Sequence, residues 1–259
     1  MTAPDTPRGR LLLMPNALDL GAAEVPLTDV LAGGVIAAAS RLLHWVVEDA
    51  RSARAFLNRV NKVSPLAQPL QQTLIAELPR PPKGSPRPAP TTGPSPWAAL
   101  LAPALAGHDV GLLSEAGQPG VADPGALLVA AAHELGIPVV ALSGPSSITL
   151  AIAASGLNGQ SFVFHGYLPA EAGARRARLR ELEATSRKLQ QTQVFIETPY
   201  RNAAMLETCL EALQPATRLA IACGLTLAEG WAHTRGVAQW KAAQAVLPDR
   251  VPAVFSLLA

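Results

Sequence analysis

Residues 109–113 carry an apolar strand signal, residues 126–135 carry a helix signal, and the stretch SEAGQPGVADPG (114–125) joins them. Three glycines, two prolines and two acids in that stretch describe a tightly folded loop. A loop at the carboxyl end of a strand and the start of a helix commits this part of the chain to an open α/β sheet. Such sheets bind ligands there. Glycine lets a backbone approach a ligand closely, and proline fixes the approach.

The same alternation extends in both directions. Residues 11–14 are a short apolar run before Pro15-Asn16. Residues 25–39 contain Pro26, Asp29 and two glycines, and read as a loop, a turn of helix and a buried strand over 34–39. A third strand, 45–47, ends at Glu48-Asp49. From Ala50 the period changes: Ala50, Ala53, Phe56, Leu57 and Val60 share one helical face, with Asp49 as the N-cap. Residues 97–106 form a short helix with Pro103 near its end. Residues 139–142 form a strand that runs into Ser143-Gly144-Pro145-Ser146-Ser147 and an apolar helix over 148–154. Strands alternating with helices over 10–155 predict a mainly parallel sheet.

After Gly156 the texture changes. Strands are expected over 162–165, 193–196, 219–223 and 251–258, a charged helix over 171–191 and an amphipathic helix over 202–213. These features give an α/β chain of two domains, 1–147 and 148–259, with no internal repeat. Segment 79–96 has eight prolines in eighteen residues, so it forms neither helix nor central strand. It reads as a surface loop or tether inserted in the first domain.

Composition bounds the rest. Hydrophobic residues make up 49% of 259 and mean hydropathy is +0.23, enough for a large core. The net charge of +2 argues neither for nor against nucleic acid. No apolar run reaches the roughly 20 residues of a membrane helix, and residues 1–10 carry no secretory apolar core. Two cysteines, Cys209 and Cys223, fit a reducing, cytoplasmic compartment. The five histidines are scattered, so no metal is expected. There is no dinucleotide fingerprint, P-loop or H-E-x-x-H motif, and Gly144-Pro145-Ser146-Ser147 lacks the second glycine of a nucleophile elbow. Arg175, Arg176, Arg178 and Arg180 lie on one helix. They read either as a solvated face or as a patch for phosphates.

Three pieces together resemble one family: SEAGQPGVADPG (114–125), SGPSSITLAIAASGL (143–157) with FVFHGYLP (162–169), and FIETPYR (195–201). The chain resembles the tetrapyrrole-methylase-fold methyltransferases that use S-adenosylmethionine. Within them it looks like a divergent branch of the ribosomal small-subunit RNA methyltransferase I type, which methylates a cytidine ribose 2′-oxygen. The resemblance implies two α/β domains with the cofactor cleft between them, and a homodimer. It implies that Pro15, Ala116, Gly117, Gln118 and Val121 line the cofactor site, with Ser146 and Ser147 in contact and Leu168, Leu225 and Thr226 flanking the adenosine. Three departures stand out. Pro15-Asn16-Ala17-Leu18-Asp19 replaces P-T-P-I-G-N, Val47-Glu48-Asp49-Ala50-Arg51 replaces A-E-D-T-R without its threonine, and Gly224 stands where an acid is usual.

Methyl transfer from a sulfonium is an in-line displacement, so orientation supplies much of the acceleration and no metal is required. A ribose hydroxyl must lose its proton at or after attack. Glu197 and Glu115 are the catalytic candidates; Glu197 reads equally as a structural ion pair with Arg201. Arg175, Arg176, Arg178, Tyr200 and Arg201 are the substrate candidates. RNA is the expected substrate. A methyltransferase for a tetrapyrrole or other small molecule, and a cofactor-binding protein without catalysis, are the competing readings.

Overall fold

The computed structural model describes residues 7–18, 25–79 and 96–259. Asp19 and all but the ends of the proline-rich segment therefore lie outside the described residues. The chain forms two compact units, the first ending at Pro145 and the second running from Ser146 to Ala259.

The first unit builds a five-stranded sheet in the order β3-β2-β4-β1-β5. Its strands are β1 (Leu11–Met14), β2 (His44–Val47), β3 (Leu74–Glu77), β4 (Val110–Leu113) and β5 (Val139–Ala141). Every pairing is parallel, as the strand–helix alternation predicts. Helices α1 (Leu27–Val30), α2 (Gly33–Arg41) and α3 (Ala50–Val63) share a core with Leu12, Met14, Val47 and Leu113. Helices α4 (Pro96–Leu100), α5 (Ala102–Leu105) and α6 (Ala126–Glu134) share another with Leu11, Val46 and Leu112. Successive strand residues point to opposite faces, so a sheet covered on both sides demands continuous apolar strands. Asp49 caps α3 by accepting from Ser52 N at 2.8 Å.

Residues 34–39 are not a strand but the body of α2. Val35, Ile36, Ala39 and Ser40 are its buried residues, and that spacing is helical. A six-residue apolar run has no decisive period, and the β-branched Val35-Ile36 pair imitates a strand. Strand β3 escapes the sequence reading because it is an edge strand with no fully buried residue: its short apolar run, Leu74-Ile75-Ala76, ends at Glu77, and Leu74 is 60% exposed.

The second unit has a mixed sheet, β6-β7-β10-β8-β9. Its strands are β6 (Phe162–Tyr167), β7 (Thr192–Glu197), β8 (Arg218–Cys223), β9 (Trp231–Gly236) and β10 (Ala253–Leu258). Only β6 and β7 pair in parallel. Helix α7 (Ser147–Ser155) packs on Val194, Ala222 and Val254. The opposite face, with Phe195, Ile221 and Phe255, packs on α8 (Ala172–Leu189), α9 (Asn202–Ala212) and α10 (Val237–Ala242). Among the described residues no helix is long and apolar enough to cross a membrane.

Candidate functional site

Met14 and Val47 are both in register with Leu113, so β1, β2 and β4 end side by side. The loops that begin at Pro15, Glu48 and Ser114 leave the sheet together. Loop 114–125 is fastened from below by Asn16. Asn16 N donates to Gly117 O at 2.9 Å, and Gly117 N returns the bond to Asn16 O at 2.8 Å. The Asn16 amide donates to the carbonyls of Ser114 and Glu115 at 3.2 and 2.9 Å. Asn16 is 5% exposed, and this buried clamp is a positioning role that the sequence did not reveal. Its only linear signal is an asparagine directly after a strand.

Glu48 accepts from Glu115 N at 3.2 Å, and Gln118 Nε2 donates to Leu142 O at 2.7 Å, tying the loop to its two flanks. Pro15 is buried and packs so closely on Gly144 that no side chain fits at that position. Gly117 has φ +72°, and a Cβ there would meet nothing nearer than Pro145 O at 3.8 Å. Its Cα therefore faces open space. Ala116 and Gln118 are half-buried, and Val121 is exposed.

Glu115 is exposed at the rim of this loop. Asp123 is half-buried, and its pKa is pushed up to about 7 by burial and by the carboxylates of Glu48 and Glu115. A hydrogen bond with Ser114 acts in the opposite direction. The sequence does not single out Asp123, because its acidic neighbour Glu48 is distant in the chain.

In the second unit Ser146 is the N-cap residue of α7, without a side-chain capping bond, and Ser147 is exposed in its first turn. Leu168 is 5% exposed in the core on the α8–α10 side of the sheet, so its side chain is a packing element. Leu225 and Thr226 follow β8 in a turn closed by Leu227 N donating to Gly224 O at 2.7 Å. Gly224 has φ +57°, and a Cβ there would lie 3.0 Å from Val251. An acid at this position would be strained, which accounts for the glycine.

Glu197 forms the structural pair. Its Oε1 accepts from Thr198 N at 2.7 Å, Thr198 Oγ1 at 3.1 Å, and Arg201 Nε and Nη2 at 2.9 and 2.7 Å. The side chain is fully buried; all four donors sit on Oε1, and Oε2 is buried without a hydrogen-bond partner among the described residues, an arrangement that favours the structural ion pair over the catalytic reading. Arg201 is held by this pair, with its guanidinium 5.6 Å from the Tyr200 ring. Tyr200 is 74% and Tyr167 56% exposed, and both act electrostatically on Arg201.

The arginine run divides. Arg175 is buried, donates to Thr208 Oγ1 and to Ala170 O at 3.0 Å each, and so leaves the substrate set. Arg176 pairs with Glu211 at 2.7 Å and Arg178 with Glu181 at 3.0 Å, both at the surface. Exposed pairs of this kind contribute little to stability. Arg180 is exposed. Among the described residues, no group of three or more His, Cys, Asp or Glu could hold a metal ion.

Comparison with known proteins follows the same lines. The family described as Tetrapyrrole (Corrin/Porphyrin) Methylases matches residues 38–236. The chain is 38% identical over 122 residues to a ribosomal RNA small subunit methyltransferase I of Vibrio cholerae, covering 47% of this chain and 41% of that protein. It is 43% identical over 128 residues to the protein of that name from Mycobacterium bovis, covering 49% and 44%. The matched stretches thus span less than half the length of these curated relatives. Among solved structures, uroporphyrin-III-C-methyltransferase from Thermus thermophilus superposes with a TM-score of 0.52 at 17% identity, covering 97% of this chain and 94% of that one. The methyltransferase CobJ gives 0.53 at 17%, covering 96% and 93%. At that identity the structural likeness shows the fold.

Proposed function

The chain belongs to the tetrapyrrole (corrin/porphyrin) methylase family, and from that premise we propose that it is an S-adenosylmethionine-dependent methyltransferase that acts on ribosomal RNA at a ribose 2′-oxygen. The observation that carries the RNA half is the 38–43% identity, over about half the chain, to small-subunit ribosomal RNA methyltransferases. A cytoplasmic homodimer belongs to this reading on the strength of the sequence resemblance.

The loop of the first unit fits the cofactor. Open space over Gly117 admits an adenosine-bearing ligand against backbone, and Val121 offers it apolar surface. Pro15, Ala116, Gly117, Gln118 and Val121 are the proposed contacts there. Ser146, Ser147, Leu168, Leu225 and Thr226 are proposed on the resemblance, Leu168 through its backbone. When bound, S-adenosylmethionine supplies a methyl group activated by its sulfonium. Asp123 would accept the proton of the ribose hydroxyl that is to be methylated. A carboxylate whose pKa lies near the working pH is both partly ionised and basic enough for the task. Glu115 supports it electrostatically. Arg176, Arg178, Tyr200 and Arg201 contact RNA, the arginines through phosphates and Tyr200 by stacking on an unpaired base.

The test incubates the protein with methyl-labelled S-adenosylmethionine and unmodified small-subunit RNA, then analyses nucleosides by mass spectrometry. Labelled 2′-O-methylcytidine is expected. Label that enters a uroporphyrinogen but not RNA would overturn the substrate. Cofactor binding with no turnover on either would overturn the enzyme. Gly117→Leu should weaken calorimetric binding of the cofactor about tenfold or more, roughly 1.4 kcal/mol; unchanged affinity would overturn the loop assignment.

A further inference from the structure

A cavity of about 340 Å³ lies in the first unit, lined by Arg10, Arg41, His44, His108 and Asp109 over a floor that includes Leu42. Arg10 precedes β1, Asp109 precedes β4 and His44 opens β2. These strands run parallel, so the cavity sits at their amino ends. The loop that begins at Ser114 leaves their carboxyl ends, about 13 Å away across a four-residue strand. The cavity is therefore separate from the site described above.

Its chemistry is that of an anion receptor. Arg10 and Asp109 form a forked pair, with Nη2 to Oδ2 at 2.6 Å, Nε to both carboxylate oxygens at 3.2 Å, and Arg10 N to Oδ1 at 2.8 Å. This neutralises the one acid in the lining. Arg41 enters none of the ion pairs among the described residues, and it is exposed in the last turn of α2. The carbonyls of that turn favour a cation there. The rings of His44 and His108 lie 5.4 Å apart. Burial, then the neighbouring His108, lowers the pKa of His44. An anion beside both rings would favour the protonated form of His44 and offset the repulsion from His108. The volume falls at the small end of ligand pockets and suits one nucleotide-sized group.

We propose that this amino-edge cavity is a second ligand site that takes a phosphate-bearing group, with Arg41 as its principal charge and the His44–His108 pair as donors. Arg10 contributes the guanidinium edge that Asp109 does not occupy. The phosphate comes either from a free nucleotide or from an RNA backbone, and the two are separable by probe.

The experiment follows the histidine ring protons of the whole protein by NMR at pH 6.0 and 7.5. The probes are AMP, the phosphodiester trinucleotide UpUpU without terminal phosphate, and sulfate, whose charge is constant over this range. Saturable shifts at His44 and His108, about fivefold or more tighter at pH 6.0 for sulfate, are expected from gaining one favourable charge at close range. Saturation by AMP but not UpUpU assigns a free nucleotide, and the reverse assigns RNA backbone. Arg41→Gln and His108→Gln replace exposed side chains, so both variants should keep the parent melting temperature, and each should lose most of the binding. No saturable shift with any probe, or the same shift in Arg41→Gln, would overturn the site. The readout needs neither S-adenosylmethionine nor methyl transfer, so it stands or falls apart from the proposed activity.

Discussion

Asp123 in the first unit and Glu197 in the second are both acids close to the carboxyl end of a strand, in segments that resemble family motifs. Their surroundings send them opposite ways. Glu197 has an arginine four residues on, and the folded chain supplies four donors to a single oxygen. Asp123 has no arginine partner among the described residues; it is half-buried beside Glu48 and Glu115, which with burial outweigh its hydrogen bond to Ser114 and push its pKa up to about 7. One acid is held in a buried ion pair, the other is left able to exchange a proton. An acid in a motif is therefore no guide to catalysis until its neighbours in space are known.

The largest effect that could break this comparison is on catalysis. Asp123→Asn should lower kcat by about 10²- to 10⁴-fold, with cofactor binding intact. In the parent, kcat/KM should climb about tenfold per pH unit up to about 7 and then level, because the ionised carboxylate is the active form. Stability should move the other way. The folded state holds a proton that an unfolded Asp releases at its ordinary value, so Asp123 costs stability increasingly as pH rises from about 4 to about 7. Asp123→Asn should melt higher than the parent above pH 7. A kcat within threefold of the parent would remove the proton-acceptor role.

Glu197→Gln comes next. It keeps shape but discharges a buried partner of Arg201, and the melting temperature should fall by several degrees. Turnover per folded molecule should stay near the parent value. A stable but inactive Glu197→Gln would restore Glu197 to catalysis and undo the contrast.

Asn16→Ala sharpens the first half of it. Losing the amide leaves the Ser114 and Glu115 carbonyls without their donor, at a cost of about 1–3 kcal/mol in denaturant unfolding. Cofactor affinity should fall with it, because the loop that holds Gly117 is no longer clamped. The smallest effect is at the surface. Arg176→Ala with Arg178→Ala should reduce the salt slope of RNA binding by about two units, with little change in stability. Arg175 is left out of that variant because its buried guanidinium holds Thr208 and Ala170.

The alternation of short apolar strands and helices determined the parallel sheet of the first unit, since a strand buried on both faces must be apolar throughout. The dense run of Gly, Pro and acid between β4 and α6 likewise announced the loop, and the Asp49 cap announced the start of α3. Local chemistry decides these features, so local sequence suffices. It failed at residues 34–39, where a short run fits either period, and at β3, β9 and α10, whose partial burial leaves no strong pattern. Only the tertiary structure decided the roles of the acids and arginines. The Asn16 clamp, the crowding of Asp123 by Glu48, the burial of Glu197 and the burial of Arg175 all depend on groups brought together by strand register and packing. Electrostatic character follows distance in space, and distance in space is what folding adds to the sequence.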